Sequence, residues 1–211
     1  MIFLLSFISF TNYLCFMKAT STNNNFLLAT GLVLAAVIFR ILSNQFNFFN
    51  LTPVIAVALF AGAKFKDNKA AILIPIVTMF ISDAILAYLN NHELFHNTIL
   101  FTYGSVVAII FLGKLLNNSK LNIVKTVGLS LVSSLLFFLI SNFGVWLFSN
   151  MYSLTTSGLI QCYVMAIPFN KFSWLGDLFF VVVLFGIYEV VSTKITAASG
   201  NLVWQKSDTI D

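Results

Sequence analysis

From Phe26 onward the chain reads as six apolar segments, each nearly free of charge and separated by short polar connections. They cover residues 26–43, 51–65, 70–89, 98–116, 126–148 and 174–191. The hydrocarbon core of a bilayer is about 30 Å thick, and a helix needs roughly 20 apolar residues to cross it, against roughly ten for a barrel strand. Backbone N–H and C=O groups in lipid must also bond to one another. Runs of this length therefore specify helices. The expected fold class is all-α, a polytopic transmembrane bundle of six helices. Composition removes the alternatives. Of 211 residues, 59% are hydrophobic and 9% charged, and mean hydropathy is +0.96. An average soluble domain is about 25% charged, so this chain lacks the polar surface to coat a water-soluble fold.

The charges are placed by topology. Lys18 precedes the first segment. Lys64, Lys66 and Lys69 follow the second, Lys114, Lys120 and Lys125 follow the fourth, and Lys194 and Lys206 follow the sixth. The alternate connections hold almost no lysine or arginine; Lys171 is the exception. Cytoplasmic loops retain basic residues, which places both ends of the six-helix unit on the cytoplasmic side of the membrane. The net charge of +4 thus reflects orientation, and nucleic acid is not an expected partner.

Residues 18–193 form the transmembrane domain and 194–211 a cytoplasmic tail. Residues 1–17 are apolar and read in two ways, as a seventh short span or as sequence upstream of a start at Met17; the order Met17-Lys18 followed by polar residues favours the second. The connection 149–173 is too short in apolar residues to span and too apolar to float free in water. It is expected to form a re-entrant helix, held against protein or a water cavity, or an interfacial one.

Polar groups inside the spans carry the functional signal. A charge at mid-bilayer costs at least about 2.5 kcal/mol and usually faces the bundle interior. With the orientation above, Arg40, Asp83, Asn142 and Asp177 all fall toward the outer side, together with Gln161 and Tyr163 of the outer connection. Trp146 stands near the same mouth. On the fifth segment Ser130, Ser134 and Ser141 share a helical face. A polar, outward-opening cavity would explain this layer, with Asp83, Asn142 and Asp177 orienting a ligand, Arg40 as charge partner, and Trp146, Gln161 and Tyr163 at the entrance. The aromatic stretch 45–50 and the connection 149–173 are placed to cover it. The competing reading has Arg40 paired with Asp83 or Asp177 for structure, Asn142 as interhelical glue, and Glu189 as an interface charge beside Lys194.

Two further motifs stand out. Ala58-x-x-x-Gly62 lets another helix approach closely, either inside the bundle or from a partner membrane protein. His92-Glu93-Leu94-Phe95-His96 matches H-E-x-x-H, which on a helix binds zinc with the glutamate activating water. Here it lies in a short asparagine-rich loop and holds both histidines of the chain, so a solvated loop is favoured over a zinc hydrolase. Cys15 and Cys162 form no metal or disulfide pattern. No Walker A loop, G-x-G-x-x-G or G-x-S-x-G occurs. Hence no cofactor is expected, and any energy for transport comes from a gradient or a partner.

The stretches Asn50-Leu51-Thr52-Pro53, Ala56-Val57-Ala58-Leu59-Phe60-Ala61-Gly62-Ala63, Ser141-Asn142-Phe143-Gly144-Val145-Trp146 and Gly158-Leu159-Ile160-Gln161-Cys162-Tyr163, with Ile167-Pro168-Phe169, resemble a family of six-helix bacterial inner-membrane proteins of unassigned function. That family is similar at fold level to the substrate-binding S components of energy-coupling factor vitamin transporters. The resemblance implies a non-enzymatic subunit that holds a small vitamin-like molecule in the outer half of the membrane. It also implies docking onto a membrane coupling subunit driven by ATPases. In S components the small-residue helix opens the bundle; here it is the second segment.

Overall fold

The computed structural model describes residues 21–46, 52–91, 93–95, 97–116 and 122–207; side chains are described for all of these except 21–24, 169, 171, 172 and 196–207. The described residues form six α-helices and no strand: α1 (Ser21–Gln45), α2 (Val54–Lys64), α3 (Asn68–Asn90), α4 (Ile99–Gly113), α5 (Ile123–Phe148) and α6 (Thr156–Ser207). A 3-10 turn, Lys114–Leu116, extends α4. The expectations for residues 1–17 lie outside the described residues.

Five stretches are long and apolar enough to cross a membrane: Asn25–Gln45, Asn68–Asn90, Ile99–Leu116, Ile123–Phe148 and Ser173–Ile195. Their outer surfaces are as apolar as their contacts. Leu100, Val124 and Leu175 are each more than 60% exposed, and exposed leucine, isoleucine and phenylalanine recur on every span. In water so much apolar surface would drive aggregation; in lipid it is the solvated face. The all-α transmembrane bundle read from the sequence is the fold observed.

The second segment departs from the expectation. It forms only an 11-residue helix, about 17 Å long, which is half the thickness of the hydrocarbon core. Pro53, with no N–H to give, stands at its N-cap. Nine of its residues, from Ile55 to Ala63, are buried. The helix is therefore a core element and not a span. Phe60 packs edge-on against Phe185 and Tyr188 of α6, with centroids 5.2 and 5.4 Å apart. Ala58 and Gly62 are buried in the same way. A Cβ on Gly62 would stand 1.9 Å from Ile110 O of α4, and one on Gly113 2.3 Å from Leu59 O of α2. Backbone meets backbone there, as small-residue pairs permit. These two residues thus serve packing within the chain, and the face they form is closed to a partner helix.

The helices end where their sequences direct. Asp67 caps α3 by accepting from the backbone N–H of Lys69 and Ala70, Asn122 caps α5 by accepting from Lys125, and Asn91 closes α3 in the left-handed region (φ 52°). One end of the bundle collects the lysines. Lys64 lies 3.7 Å from Glu189 and over the ring of Tyr188. Lys114 bonds Asn68, and Lys125 bonds the carbonyl of Leu115. Glu189 thus pairs with Lys64, a partner 125 residues away in sequence, and not with Lys194 as expected. The opposite end holds the C-terminus of α1 and the N-termini of α4 and α6.

The connection before the last span is helical, as expected, but it is not a separate element. It is a turn to Thr155, and from Thr156 it is helix that continues into the span and on to Ser207. No separate re-entrant element forms. At 52 residues α6 is about 78 Å long, so only part of it can lie in a membrane. Ser134 and Leu139 stand close together on α5, yet their partners on α6, Asp177 and Tyr163, are 14 residues apart. A straight antiparallel pair cannot match those intervals, and Pro168 falls between the two contacts. The first part of α6 exposes Ile160, Val164, Met165 and Ile167, a surface suited to the membrane interface.

The contact at Gly62 gives a test. Gly62→Val should lower stability in detergent by about 1–3 kcal/mol, because the obstruction is backbone. Gly104→Ala, with nothing within 4 Å of the added Cβ, should unfold at or slightly above the wild-type temperature. A Gly62→Val protein that melts with the wild type would mean that α2 and α4 do not meet there.

Candidate functional site

Arg40 lies near the C-terminal end of α1 and Asp83 in the last third of α3. Arg40 Nη2 reaches Asp83 Oδ1 at 2.5 Å, and Nη1 donates to Ser82 Oγ. Ser82 is free to accept because its own hydroxyl donates to Met79 O at 2.8 Å. The hydroxyl of Tyr103, from the second turn of α4, donates to the other carboxylate oxygen of Asp83 at 2.6 Å. One carboxylate thereby joins α1, α3 and α4. The ionic components are 15% and 20% exposed, so the pair neutralises itself in a half-buried setting where a lone charge would be costly.

Asp177 is in a different position. It sits on α6 with 3% of its surface exposed. Ser134 of α5 donates to its Oδ2 at 2.7 Å. Ser134 is 11 residues into the 26-residue α5, so Asp177 lies at mid-bundle and not near the outer face, as its place at the start of the sixth segment had implied. The early start of α6 accounts for the difference.

A cavity of about 340 Å³ separates these two groups. Arg40, Ser43 and Asn44 line it from α1, and Val54 and Ile55 from the N-terminus of α2. Thr102 comes from α4, Ser134 and Phe137 from α5, and Asn170, Ser173 and Asp177 from α6. The cavity exists because α2 is only half a span long: its N-terminus stops inside the bundle, and the space beyond it is left between the longer helices.

Of the seven residues expected to line a pocket, Arg40 and Asp177 do so, and Asp83 stands behind Arg40. The other four are elsewhere. Asn142 Nδ2 donates to Phe138 O of its own helix at 2.8 Å, while its backbone carbonyl accepts from the Cys162 thiol. Trp146 Nε1 donates to Ser153 O at 3.0 Å, and Tyr163 donates to Leu139 O at 2.8 Å. Gln161 is exposed. Tyr163 and the Cys162–Asn142 contact fasten the first part of α6 to α5, Trp146 holds the turn before it, and none of the four lines the cavity. They share the cavity's end of the bundle, which is all that depth along a helix can indicate; the face they occupy is set by the path of α6.

The sequence reading missed Tyr103, Ser82, Thr102, Asn170 and Ser173. Tyr103 had a usable signal: it is a hydroxyl in an apolar span, on the far side of a hairpin from Asp83. Asn170 and Ser173 were hidden inside a connection taken as lying outside the last span. In the H-E-x-x-H motif, His92 and His96 lie outside the described residues, and Glu93 is exposed. No group of three or more metal-ligating side chains occurs among the described residues. The part of the aromatic stretch from 47 to 50 also lies outside them.

Fold and site together define a class: a polytopic helical membrane protein with a polar cavity inside its bundle. The chain belongs to a family of unknown function, DUF6580, whose model matches residues 20–198. No curated protein and no solved structure matches the chain.

Breaking a buried ion pair from one side costs about 3 kcal/mol, whereas replacing both partners with apolar groups is often near neutral. Arg40→Met should therefore destabilise the protein strongly in a detergent unfolding assay, and Arg40→Met with Asp83→Leu should be more stable than Arg40→Met alone. Losses that simply add would show that the two residues do not act as a pair.

Proposed function

We propose that the protein is a non-enzymatic substrate-binding subunit for uptake of a small vitamin-like molecule across a bacterial cytoplasmic membrane. The observation that carries this reading is the cavity of about 340 Å³ lined by charges, hydroxyls and amides. Its volume falls in the range of small-molecule pockets, about 300–1,000 Å³. Ionisable side chains inside a membrane bundle are rare and costly, and they mark substrate or ion pathways among other functional sites. Arg40 and Asp177 would orient the ligand, with Asp83 and Tyr103 holding Arg40 in place. Thr102, Asn170 and Ser173 would contribute hydrogen bonds.

The resemblance to S components supports a further element, a membrane coupling subunit with ATPases, since this chain has no nucleotide-binding loop. Because α2 is enclosed, such a subunit would meet the exposed faces of the long helices. The lysine-bearing end, with Lys64, Lys66, Lys69, Lys114 and Lys125, would face the cytoplasm together with the C-terminus.

Native mass spectrometry of the protein extracted in mild detergent from its own host tests the binding role. The expected result is an adduct of low molecular mass that disappears in Ser173→Trp, whose indole would fill the cavity. A wild-type protein that carries no adduct, and gains none from a host metabolite extract, would rule the binding role out. Orientation is checked separately. A fluorescent protein fused after Asp211 should fluoresce, and alkaline phosphatase fused after Asn91 should be active. The opposite pair of results would invert the topology.

A further inference from the structure

We infer that the molecule received by the cavity carries a positively charged nitrogen, and that Asp177 is its counter-ion. This rests on the reading of the cavity as a ligand site and adds the ligand's chemical class.

The argument is a count of charges around one space. Two ionisable side chains line the cavity, Arg40 and Asp177. Arg40 is already matched, since Asp83 holds its guanidinium at 2.5 Å and Ser82 accepts from its other terminal nitrogen. Tyr103 takes up the second oxygen of Asp83. That cluster is neutral as a whole and complete in its hydrogen bonds at the carboxylate.

Asp177 has only a neutral partner. The hydroxyl of Ser134 bonds Oδ2 at 2.7 Å, and no cation pairs with Asp177 among the described residues. Its burial is nearly complete, at 3% exposure. An ionised carboxylate in such a place is unfavourable until a positive charge joins it. Lysine and arginine side chains supply that charge in most proteins; among the described residues none does so here, and the cavity is the side from which a charge can reach Asp177. A protonated amine or a cationic ring nitrogen entering it would find a carboxylate oriented by Ser134. The remainder of such a ligand would meet Phe137, Met79 and Ile55 on the apolar walls and Thr102 and Asn170 on the polar ones. An anionic ligand would meet Asp177 as a like charge at short range.

The test compares three probes of one shape, benzylamine, benzyl alcohol and benzoate, by their effect on the unfolding temperature of the detergent-solubilised full chain at neutral pH. Benzylamine should raise it in a saturable manner, and the other two should leave it unchanged. In Asp177→Asn the half-saturating concentration of benzylamine should rise by at least about tenfold, as the loss of one member of a buried charge pair requires. Asp177→Glu, which keeps the carboxylate at the same position, guards against a folding defect in Asp177→Asn; it should retain selectivity for the amine. If benzoate or benzyl alcohol stabilises as well as benzylamine does, the cavity binds ligands without preferring cations, so this inference falls and the binding role stands. An amine effect that is the same in Asp177→Asn overturns it too. If none of the three shifts the wild type, the inference and the binding role fail together.

Discussion

The contact between α2 and α4 determines most of what surrounds it. Gly62 and Gly113 bring two backbones close enough that a methyl group on either would collide with a carbonyl. At that separation α2 cannot tilt or slide without meeting α4, so its position along the bundle is fixed. Lys64 secures one end through Glu189 and the ring of Tyr188. Phe60 locks the middle against α6. With its lysine end anchored and only 11 residues of helix, α2 must stop near the middle of the bundle. Among the described residues no helix occupies the space beyond Val54. The cavity is thus a consequence of where a short helix is pinned.

This arrangement was only partly legible in the sequence. Apolar run length specifies helices in lipid, because the backbone has no other way to satisfy its hydrogen bonds; the all-α bundle followed from that alone. The lysine alternation placed the helix ends correctly relative to one another. Depth along each helix correctly brought Arg40 and Asp83 to one level. Rotation about each helix was harder to read. When every face of a span is apolar, no contrast marks the inward side, and α5 and α6 have almost no amphipathic asymmetry to reveal it. Asn142, Trp146 and Tyr163 therefore read as pocket residues while they in fact bond elsewhere: Asn142 to its own helix and to Cys162, Trp146 to the turn before α6, and Tyr163 across to α5. The half-length of α2 was concealed for a similar reason. A run of 15 apolar residues is short for a span and long for a loop, and only the positions of its neighbours decide which it becomes.

The first part of α6 links that misreading to the cavity. Helix begins at Thr156, well before the apolar stretch that crosses the bundle, and Pro168 lies between the two contacts with α5. This early start carries Asn170, Ser173 and Asp177 to the middle of the bundle. Had the helix begun at Ser173, Asp177 would have lain only one turn from its start, near water. Its depth is therefore a property of the connection preceding the span as much as of the span itself.

Asp83 and Asp177 show what differs between a structural and an available charge in such a bundle. Both are aspartates on long apolar helices, and the sequence around them gives no reason to separate them. Asp83 receives a guanidinium and a phenol from two other helices, so its charge and both of its oxygens are committed within the protein. Asp177 receives one serine hydroxyl. Completing Asp177 in the same way would take a lysine or arginine facing it that is not already paired; α4 and α5 present hydroxyls and apolar groups to the cavity, and the one cation there, Arg40 of α1, is held by Asp83. A purely structural carboxylate at that depth is a cost that any neutral residue would remove. Its position beside an open volume, opposite an arginine already neutralised by another partner, is what connects the charge arrangement of the bundle to a ligand.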